Sequence, residues 1–386
     1  METMDLPNSA AGPGTSLINW ELAASTAARL APAGPALSAA EIGAAVADLR
    51  VSADRSVPYV HEITGLDAAR DLRDSQVLIV DRASWARANT QSFSVLMAST
   101  MAALAKKQAA QRPSSTAVSG TVTGAQLGSV LAFLSSKVLG QYDPFAEPAS
   151  PASPASTAGA ESTGAGGGRL LLVAPNILSV ERELHVDPAD FRLWVCLHEQ
   201  THRVQFAAAP WLRHHMLSEI EKLSTLLVGD TEKLTEKVAA AARSLTRNRK
   251  ERATDTTPSR GGVLDLLQDP EEKAALSHLT AVMSLLEGHA NVVMDAVDAS
   301  IVPSVRTIRQ RFNSRGKDRG VLEKFIRNLL GLDAKMRQYS DGARFVRAVV
   351  AEAGMQGFNH VWTSADHLPN EQEIHDPIRW VHRMGL

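Results

Sequence analysis

The chain has 386 residues, of which 44% are hydrophobic, which allows one large domain or two coupled lobes around a substantial core. Its 40 basic and 42 acidic residues leave a formal charge of −2, so the basic excess expected of a nucleic-acid-binding protein is missing. The single cysteine, Cys196, excludes an intramolecular disulfide framework and a thiolate-rich zinc site, which leaves histidine and carboxylate side chains to hold any metal.

Composition also indicates the fold class and the location. Alanine is abundant and only 5% of the residues are aromatic, which favours helices packed closely through small side chains. We therefore predict a mainly α fold with many packed helices and a small β element. The beginning of the chain lacks a secretory signal, and no apolar stretch approaches the ~20 residues that span a bilayer. We expect a cytoplasmic protein without a membrane partner.

The first part of the chain predicts a tail followed by helices. Residues 1–15 are rich in Pro, Gly, Ser and Ala, which is typical of a disordered tail. Helical patterns follow over Leu17–Leu30 and from Ser38, where the sequence Ser-Ala-Ala-Glu fits a capping box. Tyr59–Ile63 lies between two helical regions and is predicted to belong to a loop. A long helix is predicted over Ala83–Ala110.

Two polar stretches have the composition of linkers. Gln111–Thr121 contains a Pro-Ser-Ser turn. Residues 144–168 consist largely of Pro-Ala-Ser repeats and glycine, which cannot bury a core. Because apolar patterns resume on both sides of it, we predict that segment 144–168 is a low-complexity surface insertion. The domain that contains it is expected to run over residues 16–386 as a single unit of two helical lobes.

A strand and several helices are predicted after the insertion. Arg169–Pro175 reads as a short strand that ends at its proline. Asp187 and Pro188 form a helix start, as N-cap and first helical residue, and Pro210 should end that helix near Ala208. Apolar periodicity predicts further helices over residues 211–228, 231–245 and 270–300 and within 303–354, with a charged loop over 246–262.

The helix that begins at Pro188 carries the sequence His198-Glu199-Gln200-Thr201-His202. Histidines four residues apart lie on one face of a helix, so both imidazoles can bind one zinc ion. Glu199 could reach a zinc-bound water and act as general base while the metal polarises a carbonyl, which is the logic of the H-E-x-x-H motif. The two histidines could instead be ordinary buried side chains. Burying them on an apolar helix, however, costs desolvation that a metal would offset.

A catalytic zinc site needs a third protein ligand, and a later helical stretch offers two candidates. Glu287 is a carboxylate in an otherwise apolar pattern, and the glycine after it would let another backbone or the metal-binding helix approach closely. His289 is the competing candidate on a different face of the helix, and it could instead support a ligand or contact the substrate. Asn291 and Asp295, one and two turns beyond Glu287, could orient the ligand imidazoles.

These two motifs resemble those of the zincin-type metallohydrolases. The Glu-Gly-x-Ala sequence at Glu287 is similar to the third-ligand helix of several gluzincin families. More narrowly, the chain resembles an actinobacterial group of zinc-dependent metalloproteases of the DUF2342 type, described as associated with coenzyme F420 biosynthesis. The resembling segments are spread over most of the chain, at Val80–Arg82, Trp85, Asn89–Phe93, Leu172–Ile177, Leu197–Phe206, Leu285–Ala290, Leu330–Tyr339 and Phe358–Thr363.

The resemblance implies a zincin-like, mostly helical fold with zinc as cofactor. His198, His202 and Glu287 would be the zinc ligands and Glu199 the base. A gluzincin often carries an acid four residues after the third ligand, whereas this chain has Asn291. The implied function is a zinc metallopeptidase or amide hydrolase acting on a peptide or small amide. The alternatives are a zinc-stabilised scaffold or binding protein without turnover, and an amidohydrolase acting on a cofactor precursor such as a polyglutamate tail.

Overall fold

The structure is a computed structural model that describes residues 18–72, 75–110, 116–146, 168–229, 269–315 and 338–386. Four of the predictions lie outside these ranges. They are the tail over 1–15, the helix over 231–245, the loop over 246–262 and all but the ends of the insertion over 144–168.

The described residues are mostly helical, as the composition predicts. None of the helices in this part of the chain combines the length and the apolar character needed to cross a membrane. The α-helices are α1 (Trp20–Leu30), α2 (Ala39–Thr64), α3 (Arg82–Leu96), α4 (Ala98–Ala110), α5 (Thr116–Ser135), α6 (Ala174–Leu184), α7 (Pro188–Ala208), α8 (Leu212–Gly229), α9 (Pro270–Ala296), α10 (Val305–Arg315), α11 (Gln338–Phe358), α12 (Glu371–His375) and α13 (Pro377–Met384).

The small β element is a three-stranded sheet of β1 (Ser75–Val80), β2 (Gly140–Asp143) and β3 (Gly168–Val173). β3 lies in the middle, parallel to β1 and antiparallel to β2, so β2 is an edge strand. The central strand is confirmed where the sequence predicts it, and its last four residues are fully buried. It ends before Pro175, which lies in the first turn of α6.

Helix α2 begins as the sequence predicts and then continues further. Ser38 and Glu41 form the complete capping box, with the Ser38 side chain accepting from the Glu41 N–H. The helix extends through Tyr59–Ile63, so the predicted loop there is wrong. Pro58 lies inside the helix, and burial of side chains such as Val60 in the core offsets its cost. Gly65, in the left-handed region at φ 66°, ends the helix.

Two other boundaries differ from the predictions. The long helix expected over Ala83–Ala110 is two helices, because α3 ends at Leu96 and α4 begins at Ala98. The linker expected over Gln111–Thr121 is wrong from Thr116 onward, where α5 begins. Apolar residues later in α5, such as Leu131, are buried against α1 and α3, and this packing outweighs the polar composition of its first turns.

Helix α7 lies at the centre of the larger of two apolar clusters in the described residues. This cluster takes side chains from α2, α6, α9 and α11, and the smaller cluster lies between α1, α3, α5 and β3. Both α2 and α9 contact α7 directly. A helix enclosed on several sides by a close-packed core has a fixed position, which suits it to present functional side chains.

A buried ionic network anchors the first half of α7. Arg192 donates to both carboxylate oxygens of Glu181 on α6, at 3.0 and 2.7 Å, and to Asp48 on α2 at 2.7 Å. Arg192 and Glu181 are buried, whereas Asp48 reaches solvent. Since both buried charges are paired and hydrogen-bonded, the network ties the three helices together without leaving an uncompensated charge.

Candidate metal centre

The helix that carries the H-E-x-x-H sequence starts with the predicted cap. The Asp187 side chain accepts a hydrogen bond from the Asp190 N–H at 3.0 Å, and Pro188 occupies the first turn. The helix continues to Ala208, so His198 and His202 lie one turn apart on the same face. Their ring centroids are 5.0 Å apart and the two rings are nearly perpendicular, at 87°.

Glu287 on α9 lies against these two histidines. One ligand atom from each of His198, His202 and Glu287 can be chosen so that all three lie within 4.8 Å of one another. His202 Nε2 lies 3.7 Å from Glu287 Oε1. The structure therefore brings together the two histidines of α7 and the carboxylate that the sequence singled out almost ninety residues later.

The three side chains fit a zinc ion by their chemistry. Two imidazoles and one carboxylate form one of the ligand sets of catalytic zinc sites, which keep a fourth position for water or substrate. Each of the three residues is half-buried rather than enclosed. The cluster can thus hold a metal and still be reached from solvent.

Glu199 lies beside the cluster in a far more buried position, with 7% of its surface exposed. Burial, together with a smaller contribution from the negative charge of Glu287, raises the pKa of its carboxyl from 4.5 to about 8. A carboxyl group whose pKa is raised by burial beside a ligand cluster is the kind of group that active sites use for proton transfer.

The edge strand β2 passes directly next to Glu199. A Cβ atom at Gly140, the first residue of β2, would lie 2.6 Å from Glu199 Cγ and 2.9 Å from its Oε1. Glycine is therefore required for the present position of the Glu199 side chain. Neither β2 nor this glycine is predicted from the sequence, because a four-residue strand with a contact about sixty residues away leaves no local pattern.

Gln205 is a further site residue that the sequence analysis missed. Its Oε1 lies 3.0 Å from His202 Nδ1, and its Nε2 lies 2.9 Å from both the Leu286 carbonyl oxygen and His289 Nδ1. Gln205 thus links one predicted ligand to the helix that carries another. Its spacing of three residues from His202, on the same helix face, is the one signal that could have indicated the first of these contacts.

His289, the competing third ligand, lies in the core behind the cluster and outside the group of three. Its ring packs against Phe358 and Trp362 at centroid distances of 5.2 and 5.3 Å. Burial lowers the pKa of His289 to about 3, with a smaller contribution from His202, so the ring is neutral. This position fits the alternative given above for His289, in which it supports a ligand instead of binding the metal itself.

Asn291 and Asp295 do not orient the imidazoles. Both are exposed, and Asp295 forms an ion pair with Arg347 at 2.6 Å. They lie one and two turns beyond Glu287 on α9, at positions that face solvent.

The glycine after Glu287 has the close contact that the sequence predicts. A Cβ atom at Gly288 would overlap the backbone of Gly342 and Ala343 on α11. The approaching backbone is therefore that of α11. This close approach holds α9, and with it Glu287, against the rest of the core.

Comparisons with known proteins show which family the chain is similar to. The zincin-like metallopeptidase family matches the chain over residues 18–381. A solved structure from Chloroflexus aurantiacus, described as "a putative hydrolase with a novel fold", is 29% identical in sequence. That similarity covers 95% of this chain and 99% of the other, with a TM-score of 0.63. No curated protein matches the chain.

Proposed function

The chain belongs to the zincin-like metallopeptidase family, and from this premise we propose that it is a zinc-dependent hydrolase that cleaves amide bonds in peptides or small amides. One observation carries the proposal: His198, His202 and Glu287 meet beside the buried carboxyl of Glu199. The resemblance to a structure described as a hydrolase supports the same reaction class.

The ligand cluster and Glu199 would have separate tasks. His198 and His202 would each offer one ring nitrogen to zinc, and Glu287 would offer one carboxylate oxygen. When bound, zinc would polarise the carbonyl group of a substrate, lower the pKa of a water molecule and favour the ionised form of the neighbouring Glu199.

Glu199 is the residue that we assign to proton transfer. Its ionised carboxylate accepts a proton from the attacking water, whose oxygen forms the new bond to the amide carbon. The same proton then passes to the amide nitrogen as the carbon–nitrogen bond breaks, which regenerates the carboxylate. Gly140 keeps the space in which this side chain lies.

The test compares the zinc-loaded protein with Glu199→Gln on a diverse peptide mixture analysed by mass spectrometry. Glu62→Gln, at an exposed position of α2, is the matched control. We expect cleavage by the wild type and the control, and a loss of about 10²–10⁴-fold in rate in Glu199→Gln with zinc retained. Wild-type rates in Glu199→Gln would contradict the assigned base. A zinc-loaded wild type that cleaves nothing would instead favour the scaffold or binding protein without turnover.

Several predictions from the sequence stay predictions. These are the peptide or small-amide substrate, the cytoplasmic location, the absence of nucleic-acid and membrane partners, the single domain of two lobes over residues 16–386 and the association with coenzyme F420. A polyglutamate-bearing cofactor precursor belongs in the substrate mixture, because its cleavage would identify the substrate class directly.

A further inference from the structure

The side-chain amide of Gln205 lies between the two helices that carry the ligand cluster. The residue is fully buried on α7, and its amide contacts His202 on the same helix and both Leu286 and His289 on α9. Leu286 directly precedes Glu287 in the chain. Gln205 therefore contacts a predicted ligand on one side and the backbone next to another predicted ligand on the other.

One backbone carbonyl fixes the orientation of this amide. The Leu286 carbonyl oxygen can only accept a hydrogen bond, so the amide atom 2.9 Å from it must be the NH₂ group. If the amide were flipped, two acceptor oxygens would face each other in a buried place, which costs free energy. The NH₂ group also donates its second hydrogen to His289 Nδ1, at 2.9 Å.

The orientation of the amide in turn fixes a proton on His202. With its NH₂ group turned to α9, Gln205 presents Oε1, an acceptor, to His202 Nδ1 at 3.0 Å. His202 Nδ1 must then carry the hydrogen that is donated to Oε1. In the neutral ring this leaves the lone pair on Nε2, the nitrogen that lies 3.7 Å from Glu287 Oε1.

We propose that Gln205 is a positioning residue that holds His202 in the tautomer whose Nε2 can bind a metal and sets the distance between α7 and α9. This inference rests on the proposed metal site, but not on turnover. The hydrogen bond from Gln205 to the Leu286 carbonyl also holds the backbone that carries Glu287, so one amide orients two of the three ligands.

A second glutamine on the same helix provides the matched control. Gln200 is 1% exposed and donates to the Ala53 carbonyl oxygen of α2 at 3.0 Å, so it also joins α7 to a neighbouring helix. Its hydrogen bonds to Ala53 and Arg203 do not involve the ligand cluster. Replacing either glutamine with methionine, a residue of similar size, removes one buried amide from the same helix. Only Gln205→Met should lower the zinc affinity.

The first experiment measures zinc affinity by competition with a chromophoric chelator, beside the melting temperature of the zinc-free protein. We expect Gln205→Met to bind zinc about 10–100-fold more weakly than the wild type. Gln200→Met should lower the melting temperature by a similar amount and change the zinc affinity less than about threefold. Equal affinities in Gln205→Met and the wild type, or equal losses in both variants, would overturn the proposal.

A second measurement decides the proposal even if Gln205→Met does not fold. Long-range ¹H–¹⁵N NMR spectra of the zinc-free wild type report which ring nitrogen of His202 carries the hydrogen, with His202→Ala providing the assignment. We expect the hydrogen on Nδ1. A hydrogen on Nε2 would overturn the positioning role, whatever the zinc affinity. A wild type that binds zinc and shows the hydrogen on Nδ1 but cleaves nothing would refute the proposed hydrolysis and leave this inference standing.

Discussion

Glu199→Gln should stabilise the zinc-free protein, and increasingly so as the pH rises. The Glu199 carboxyl is buried, and burial together with Glu287 raises its pKa to about 8 in the folded chain, against 4.5 as its ordinary value. An acid with a higher pKa in the folded state binds its proton more tightly there. The folded state therefore loses stability as the pH rises above the pKa of Glu199 in the unfolded chain. The loss is complete only above the pKa of Glu199 in the folded chain.

The size of the effect follows from these two pKa values. Each pKa unit corresponds to about 1.4 kcal/mol, so linkage gives a cost of about 1 kcal/mol at pH 5, about 3 kcal/mol at pH 7 and about 4 kcal/mol at pH 8. Glutamine resembles the protonated acid in shape and carries no charge, so Glu199→Gln escapes this cost. The free energy of unfolding of the variant should exceed that of the wild type by a margin that grows by about 3 kcal/mol between pH 5 and pH 8.

Urea unfolding in the presence of a chelator measures this margin, with tryptophan fluorescence and circular dichroism as signals and pH 5, 6, 7 and 8 as conditions. Glu62→Gln, at an exposed position, controls for the loss of one carboxylate and should show a margin that stays below about 0.5 kcal/mol. Because the test uses the change of this margin with pH, any pH-independent difference in stability between the glutamine and the protonated acid cancels. A Glu199→Gln margin that does not change between pH 5 and pH 8 would refute a raised pKa at this carboxyl.

Three further predictions concern the residues that hold the site in place. Gly140→Ala places a Cβ atom against Glu199, so the hydrolysis rate should fall at least about tenfold. The zinc affinity, measured by chelator competition, should change little. An unchanged hydrolysis rate would contradict the close contact between Gly140 and Glu199. Gly288→Ala overlaps the backbone of Gly342, so urea unfolding should show a loss of about 3 kcal/mol, and a loss below about 1 kcal/mol would contradict this packing. Arg192→Met leaves a buried carboxylate unpaired and should cost about 3–5 kcal/mol in the same assay, whereas an equally stable variant would refute the buried network.

The sequence predicts those parts of the site that depend on local spacing. His198 and His202 are four residues apart on a helix whose cap and end are both encoded nearby, so their shared face follows from helical geometry. The resemblance to zincins adds Glu287 on a different helix, and the structure places it beside them. The sequence therefore predicts all three residues of the cluster.

The contacts that complete the site depend on tertiary packing, which one sequence does not reveal. Gly140 matters because its strand passes Glu199, and Gln205 matters because α9 presents a carbonyl group to it. The same reason explains the wrong loop at Tyr59–Ile63, where α2 stays helical past a proline because its side chains are buried in the core. Local propensity is a weak guide wherever burial outweighs it.

Zinc-edge anomalous diffraction from crystals of the zinc-loaded protein shows whether His198, His202 and Glu287 bind zinc together. We expect one strong peak per chain, about 2.0–2.2 Å from a ring nitrogen of His198, a ring nitrogen of His202 and a carboxylate oxygen of Glu287. Crystals of His202→Ala grown in the same way should lack that peak. A peak at another place in the chain, or a zinc-saturated wild type without any peak at these three residues, would contradict the assignment of these ligands.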